Sequence, residues 1–263
     1  MSGGLVTNLR VIGALGGRSV RQTFRRPQLM APIIVFPTLL LAIQAAAAGS
    51  AINLPGFTDF DGFLDFVLAG AMIQATLLAG NSGGIALAVD IEMGFTDRLL
   101  AAPISRFAIV LGRLVGTAAL GALTAVWFIA IGLAFGAGID EGIPGALLMI
   151  ALVTLSAVAF GGIGAAIALR SGKASVVQGL FPLVFVILFL STAFFPQQLL
   201  LQPAASIAEW NPLSFIIDGV REPMDSSFSA AALAEGVAAL ALVAAIALGL
   251  SALAMRSRLR TGG

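Results

Sequence analysis

Between Val89 and Arg106 the chain reads VDIEMGFTDRLLAAPISR, which sets three acids, two arginines and a proline between long apolar blocks. Side chains of this kind can form charge pairs at the rim of a protein contact. Elsewhere reactive groups are sparser. Cysteine and histidine are both absent, which removes disulfides, thiolate and imidazole metal sites, and every Ser-His or Cys-His nucleophile pair. The segment IALRSGKA, Ile167–Ala174, contains Gly172-Lys173. However, Ile167 stands where a phosphate-binding loop needs its first glycine, and Ala174 where it needs the hydroxyl that holds Mg. The segment also follows an apolar block rather than a strand, so the chain is not expected to hydrolyse ATP by that route.

Ionisable groups inside apolar blocks would mark an ion or proton path. Glu235 is the one candidate, and its place near the start of a block fits an acid held by a helix N-terminus. Uncharged polar residues are more numerous: Gln44, Gln74, Thr76, Asn81, Ser82, Thr124, Thr154, Ser156 and Gln178. Gln44, Gln74, Asn81 and Gln178 are candidates to line a substrate path. Bonding between helices is the simpler role for any one of them.

The elements that must position these groups follow from composition. Hydrophobic residues make up 59% of the 263 and charged residues 10%, where a soluble domain carries about 25% charged. The mean hydropathy is +1.04. This is an integral membrane protein. A crossing helix takes about 20 mostly apolar residues. Six segments meet that requirement: Leu29–Ala48, Phe63–Val89, Phe107–Gly136, Pro144–Leu169, Ala174–Phe195 and Ala230–Met255. The pairs Gly80/Gly84, Gly112/Gly116 and Gly132/Gly136 have the spacing of helix contacts.

Charge gives the orientation. Arg10, Arg18, Arg21, Arg25 and Arg26 precede the first segment, and Arg98, Arg106 and Arg113 flank the second loop. Arg170 and Lys173 lie in the fourth loop, and Arg256, Arg258 and Arg260 follow the last segment. Of the 14 basic residues, only Arg221 falls on the opposite side, with Asp59, Asp61, Asp65, Asp140, Glu141, Glu209, Asp218, Glu222 and Asp225. The positive side is cytoplasmic, so both termini are expected inside.

At 100° per residue Arg10, Arg18, Arg21 and Arg25 share one helix face, with Leu5, Leu9, Ile12 and Val20 mostly opposite. Such a helix lies at the membrane surface. The last external loop, from Pro196 to Ser229, is too polar to span and too apolar for an ordinary solvated loop. Two short helical pieces are expected there, near Gln197–Leu201 and Pro212–Arg221, with breaks at Pro203 and Asn211-Pro212. The expected fold is therefore an all-α integral membrane protein with six crossings. Residues 1–28 form an interfacial helix, 29–255 the membrane domain with a re-entrant external hairpin, and 256–263 a basic cytoplasmic tail.

The segment DIEMGFTDRLLAAPISR resembles the cytoplasmic loop of type-2 ABC exporter permeases. Glu92, Gly94, Asp97, Arg98, Leu99, Leu100, Pro103, Ser105 and Arg106 fill that family's pattern, while Met93 stands where many members carry arginine. FFPQQLLLQPAASIAEWNPLSFIIDGVR resembles the family too, through its Phe-Pro step and Asn211, Pro212, Leu213, Ser214, Asp218 and Arg221. The resemblance covers essentially the whole chain. It implies two permease copies, each docking an ATP-binding subunit that holds ATP and Mg, with no cofactor in this chain. It implies a coupling helix carrying Asp90, Glu92, Met93, Gly94, Phe95, Asp97, Arg98, Leu99, Leu100, Pro103 and Arg106. It implies an outer gate at Phe195, Pro196, Asn211, Pro212, Asp218 and Arg221, and an N-terminal helix that helps gate access from the inner leaflet. The run RLLAAPISR is most similar to the daunorubicin-type drug-resistance branch. That points to export of an amphipathic antibiotic or lipid-like compound across a bacterial cytoplasmic membrane, with lipids and no nucleic acid as partners. Lipid-linked polysaccharide is the alternative cargo. It is disfavoured by the lack of tyrosine and the presence of only two tryptophans. A membrane scaffold without transport is the reading from another class.

Overall fold

A computed structural model describes residues 2–25, 27–48, 62–100 and 105–261. Among these residues every regular element is helical. An N-terminal helix, α1 (Ser2–Phe24), leads into α2 (Pro27–Ala48). Then come α3 (Phe63–Glu92), the short α4 (Phe95–Leu100), α5 (Arg106–Ala134) and α6 (Gly142–Ser171). Two short helices follow, α7 (Ala174–Gly179) and α8 (Phe181–Phe189), then α9 (Ala204–Trp210), α10 (Pro212–Arg221) and α11 (Ala230–Thr261).

Five helices are long and apolar enough to cross a membrane: α2, α3, α5, α6 and α11. They are not equivalent. The apolar window of α3 is 94% buried within the protein, that of α2 only 17%. So α3 is the axis of the bundle, with α2, α5 and α6 packed around it. The rest of the ring is closed by α11, held on α6 by Ser251 Oγ donating to the Gly162 carbonyl (2.8 Å).

Lipid is as apolar as leucine, so helices in a membrane associate by close packing rather than by hydrophobic expulsion. Glycine permits that packing here. A Cβ placed on Gly80 would stand 2.8 Å from the backbone of Phe160 and Gly161, and one on Gly84 2.8 Å from Gly164. The two helices therefore touch backbone to backbone. Gly112 and Gly116 have the same role on α5, against Leu15 and Ser19 of α1. The third pair differs from expectation. Gly132 packs on Leu68, but Gly136 lies beyond the end of α5 with φ +91°, in the left-handed region that closes a helix.

Above and below the glycine crossing the core divides. One part gathers Phe66, Leu68, Met72, Phe128, Met149 and Ile217. The other, toward the α3–α4 turn, gathers Leu87, Ile91, Leu114, Leu169, Val177 and Met255.

Two sequence expectations are modified. The segment Ala174–Phe195 is not one helix but α7 and α8, broken at Leu180. Pro182 lacks an N–H, so the helical bond to Gln178 cannot form. Ala174–Phe189 spans about 24 Å at 1.5 Å per residue, short of the roughly 30 Å hydrocarbon core. In the last external loop the piece expected near Gln197–Leu201 is a single 3-10 turn, Gln197–Leu199. Pro203 does not merely break the chain there, because it is the N-cap of α9. The second piece, Pro212–Arg221, forms as expected. Asp59 and Asp61 fall outside the described residues. At the other end α11 runs on to Thr261, so the basic tail begins as a continuation of the last helix.

Gly84→Ala is expected to lower the unfolding temperature in nanodiscs by several degrees, the equivalent of about 1–3 kcal/mol for an overpacked site. Gly249→Ala in α11, where a Cβ meets nothing within 4 Å, should leave it unchanged or raise it. Equal shifts for the two variants would contradict the backbone contact.

Candidate coupling and gating sites

The charged segment where α3 turns into α4 divides its side chains between buried and exposed positions. Asp90, one turn before α3 ends, is fully buried. Its carboxylate pairs with the Arg113 guanidinium from α5 and lies 3.2 Å from Nη1 of Arg18 on α1. Arg113 Nη1 also donates to Gln22 Oε1 (3.3 Å), and Ser19 Oγ donates to the Arg113 carbonyl (3.1 Å). The Arg18 guanidinium rests on the Phe95 ring, 3.9 Å from its centroid. One carboxylate thus ties α1, α3 and α5 together, and Arg18 carries the tie on to α4. A rim contact was expected of Asp90, and the structure encloses it instead. A buried carboxylate requires a charged partner, and Arg113, brought in by α5, supplies it.

Glu92 has a different partner. Its Oε1 accepts from the Ala174 N–H (2.9 Å). Lys173 is the N-cap of α7 and makes no side-chain cap bond, so Glu92 satisfies an orphan donor at that helix start from a distant part of the chain. Met93 is 61% exposed. Gly94 has φ +68°, which lets α3 turn sharply into α4. Phe95 is half-covered, Thr96 is buried and Leu99 is partly buried. The side chains of Asp97, Arg98, Leu100 and Arg106 and all of Pro103 lie outside the described residues. Of the expected set, then, Asp90 and Phe95 are joined through Arg18, Glu92 is tied separately to α7, and Met93 is the exposed apolar tip between them. Gly172 of the false nucleotide-binding loop is simply the left-handed cap of α6, its N–H bonded to the Ala168 carbonyl (2.8 Å).

At the other end of the bundle a second polar cage holds the hairpin α9–α10. Arg221 is 5% exposed. It donates to the carbonyls of Phe66 (3.0 Å) and Thr192 (2.9 Å) and to Asp218 Oδ1 (2.6 Å), with its guanidinium 3.8 Å from the centroid of the Phe66 ring. Thr192 Oγ1 donates to the same Asp218 oxygen (3.0 Å). Asn211 works in both directions. Its Oδ1 caps α10 by accepting from the Leu213 N–H, and its Nδ2 donates to the carbonyls of Ile187 and Leu190 at the end of α8 (2.8 Å each). Glu222 accepts from the Ser229 N–H (2.7 Å), and burial pushes its carboxyl above the usual range. Asn211, Asp218 and Arg221 therefore meet around one segment, 187–193. Pro196 is buried nearby, while Phe195 is 47% exposed and takes no part. Pro212 borders an apolar groove of about 300 Å³ between α3, α6, α8 and α11.

The four candidate path residues are separated. Asn81 lines that groove. Gln74 is 1% exposed, and neither atom of its amide has a partner among the described residues. Gln44 is half-buried on α2, and Gln178 is exposed on α7.

Arg18, Arg113, Thr192 and Ser214 were missed as site residues in the sequence. Arg113 could have been found, because it stands alone inside an apolar stretch, GRLVG, where a cation signals a buried partner. Ser214, whose Oγ accepts from the Thr192 N–H (3.3 Å), stood in the resemblance pattern without a role, and nothing in the sequence marks Thr192.

Asp90→Ala strips Arg113 of its carboxylate, and breaking a buried pair from one side costs about 3–5 kcal/mol. Arg18→Ala removes a guanidinium that is 40% exposed, worth about 1 kcal/mol or less. Unfolding temperatures should rank Asp90→Ala far below Arg18→Ala, and the reverse order would refute the enclosed pair.

The ABC-2 type transporter family matches residues 10–224. A protein of Porphyra purpurea provisionally named transport permease ycf38 is 29% identical over 216 residues, which is 81% of this chain and 73% of that protein. Its namesake in Pyropia yezoensis is 30% identical over 220 residues, with the same coverage. The matched region holds the central helix, the enclosed carboxylate and the external hairpin together, and the chain belongs to the ABC-2 type transporter family of membrane permeases.

Proposed function

We propose that this chain is the membrane subunit of an ATP-driven exporter, working with a separate ATP-binding subunit that supplies ATP and Mg chemistry. The observation that carries the reading is the way the cytoplasmic segment is anchored. An exposed Met93 projects from a short turn. The residues beside it are fixed through Asp90 to α1 and α5, and through Glu92 to α7. A push on that turn reaches α1, α5 and α7 at once, as docking to an ATPase requires.

The chain crosses the membrane six times with both termini cytoplasmic, and α7 and α8 together with residues 190–195 make the fifth passage. The second permease copy packs on the apolar stripe formed by Val35, Leu39 and Ile43 of α2 and continued by Leu183 and Val186 of α8. All five residues are exposed, and the Phe36–Phe185 edge contact at 5.6 Å joins the two helices into one face. The hairpin α9–α10 closes the outer end. The cargo is an amphipathic drug, antibiotic or lipid-like compound. The wholly apolar lining of the groove apart from Asn81 favours such a cargo over a sugar polymer. The setting is a bacterial cytoplasmic membrane.

The test is co-purification with the ATP-binding protein encoded beside it, followed by transport and ATPase measurements in proteoliposomes. Glu92→Arg and Met93→Glu should insert and fold normally yet lower transport at least tenfold while hydrolysis continues. Wild-type export by both variants would sink the coupling assignment. Single cysteines at Asp140 and Lys173, in a chain with no cysteine of its own, should react with an impermeant maleimide from outside and from inside respectively. Labelling of both from one side would overturn the topology.

A further inference from the structure

Beside the Asp90 knot, about two turns deeper into the bundle, lies a cavity of about 40 Å³. α1 contributes Gln22 and Thr23 to its wall, α3 contributes Ser82, and α5 contributes Arg113 and Thr117. No carboxylate lines it. Among the described residues the hydroxyls of Thr23, Ser82 and Thr117 have no hydrogen-bond partner. Gln22 uses its Oε1 to accept from Arg113, which leaves its NH₂ group to donate. The wall thus offers several donors.

Charge adds to this. Arg18 and Arg113 both bear on the carboxylate of Asp90, and Arg113 itself stands in the cavity wall and brings a guanidinium to its edge. Depth narrows the choice of ligand further. Met30, which opens the apolar window of α2, is part of the same wall. The cavity therefore sits where the hydrocarbon-spanning part of the bundle begins. A donor-rich, carboxylate-free, positively biased pocket suits oxygens that only accept and that carry negative charge.

We infer that the cavity is a phosphate site, and that it seats the headgroup phosphate of a phospholipid in the cytoplasmic leaflet. The leaflet rests on the orientation given under the proposed function. The phosphate fastens α1 to α3 and α5 from the membrane side, as Asp90 fastens them from the cytoplasmic side. Free inorganic phosphate offers the same chemistry without the lipid. Ordered water is the third occupant that fits, since each water needs only about 10–15 Å³ of such room.

The full-length chain, delipidated in detergent, is titrated with phosphatidylglycerol, with galactosyl diacylglycerol and with inorganic phosphate, and bound species are counted by native mass spectrometry. Phosphatidylglycerol should bind the wild type about 100-fold more tightly than it binds the Ser82→Ala/Thr117→Val variant, at about tenfold per charge-assisted hydrogen bond. The phosphate-free lipid should bind the wild type no better than phosphatidylglycerol binds the variant. Equal affinity of wild type and variant for phosphatidylglycerol overturns the site. So does occupancy by inorganic phosphate without lipid, or by water alone. Should the double variant fail to fold, the two lipids on the wild type decide, and equal binding overturns the site. The readout is lipid binding, so its failure leaves the exporter reading intact. That reading stands or falls on Glu92→Arg and Met93→Glu.

Discussion

A helix buried on nearly every side, in a solvent as apolar as its own side chains, must be held by proximity. That is the constraint on α3, and the backbone contact of Gly80 and Gly84 with Gly161 and Gly164 meets it. Dispersion falls steeply with separation, so closing the gap between two backbones yields many contacts that a leucine-spaced pair would lose. With α3 and α6 fixed together, α5 packs against both and α11 against α6, and the two larger parts of the core fall on either side of the crossing.

Polar groups are then concentrated at the two ends of the bundle, where helix ends leave backbone groups without partners. In lipid such groups must be satisfied by protein. The end at the α3–α4 turn uses a shared carboxylate, and the end at the hairpin α9–α10 uses an arginine that reaches two carbonyls. The middle is left almost wholly apolar, which makes the unpartnered amide of Gln74 exceptional. A buried amide without bonds costs free energy, and among the described residues Gln74 has no partner on either amide atom.

Much of this was legible in the sequence because it depends on local rules. The five long helices follow from runs of apolar residues, and α10 follows from Asn-Pro at its start. The break at Leu180 was readable in principle, since Pro182 sits inside the fifth apolar run, but hydropathy averaged over a window hides one missing N–H. Asp90 was singled out, but its role was not. Whether an acid at a helix end faces water or arginine depends on which helices lie beside it. Arg18 is 72 residues away in the chain. Phe66 and Arg221 are 155 apart. Pairings at such separation are products of the packing, and no periodicity announces them.

Asn211 is a bracket with no spare hinge. One planar amide ends α8 and begins α10, so the angle between those helices cannot change without breaking three hydrogen bonds at once. The hairpin α9–α10 and α8 are therefore bracketed together. No such bracket spans Gly179–Leu180, where the helix is already interrupted and a Cβ on the glycine would touch nothing within 4 Å.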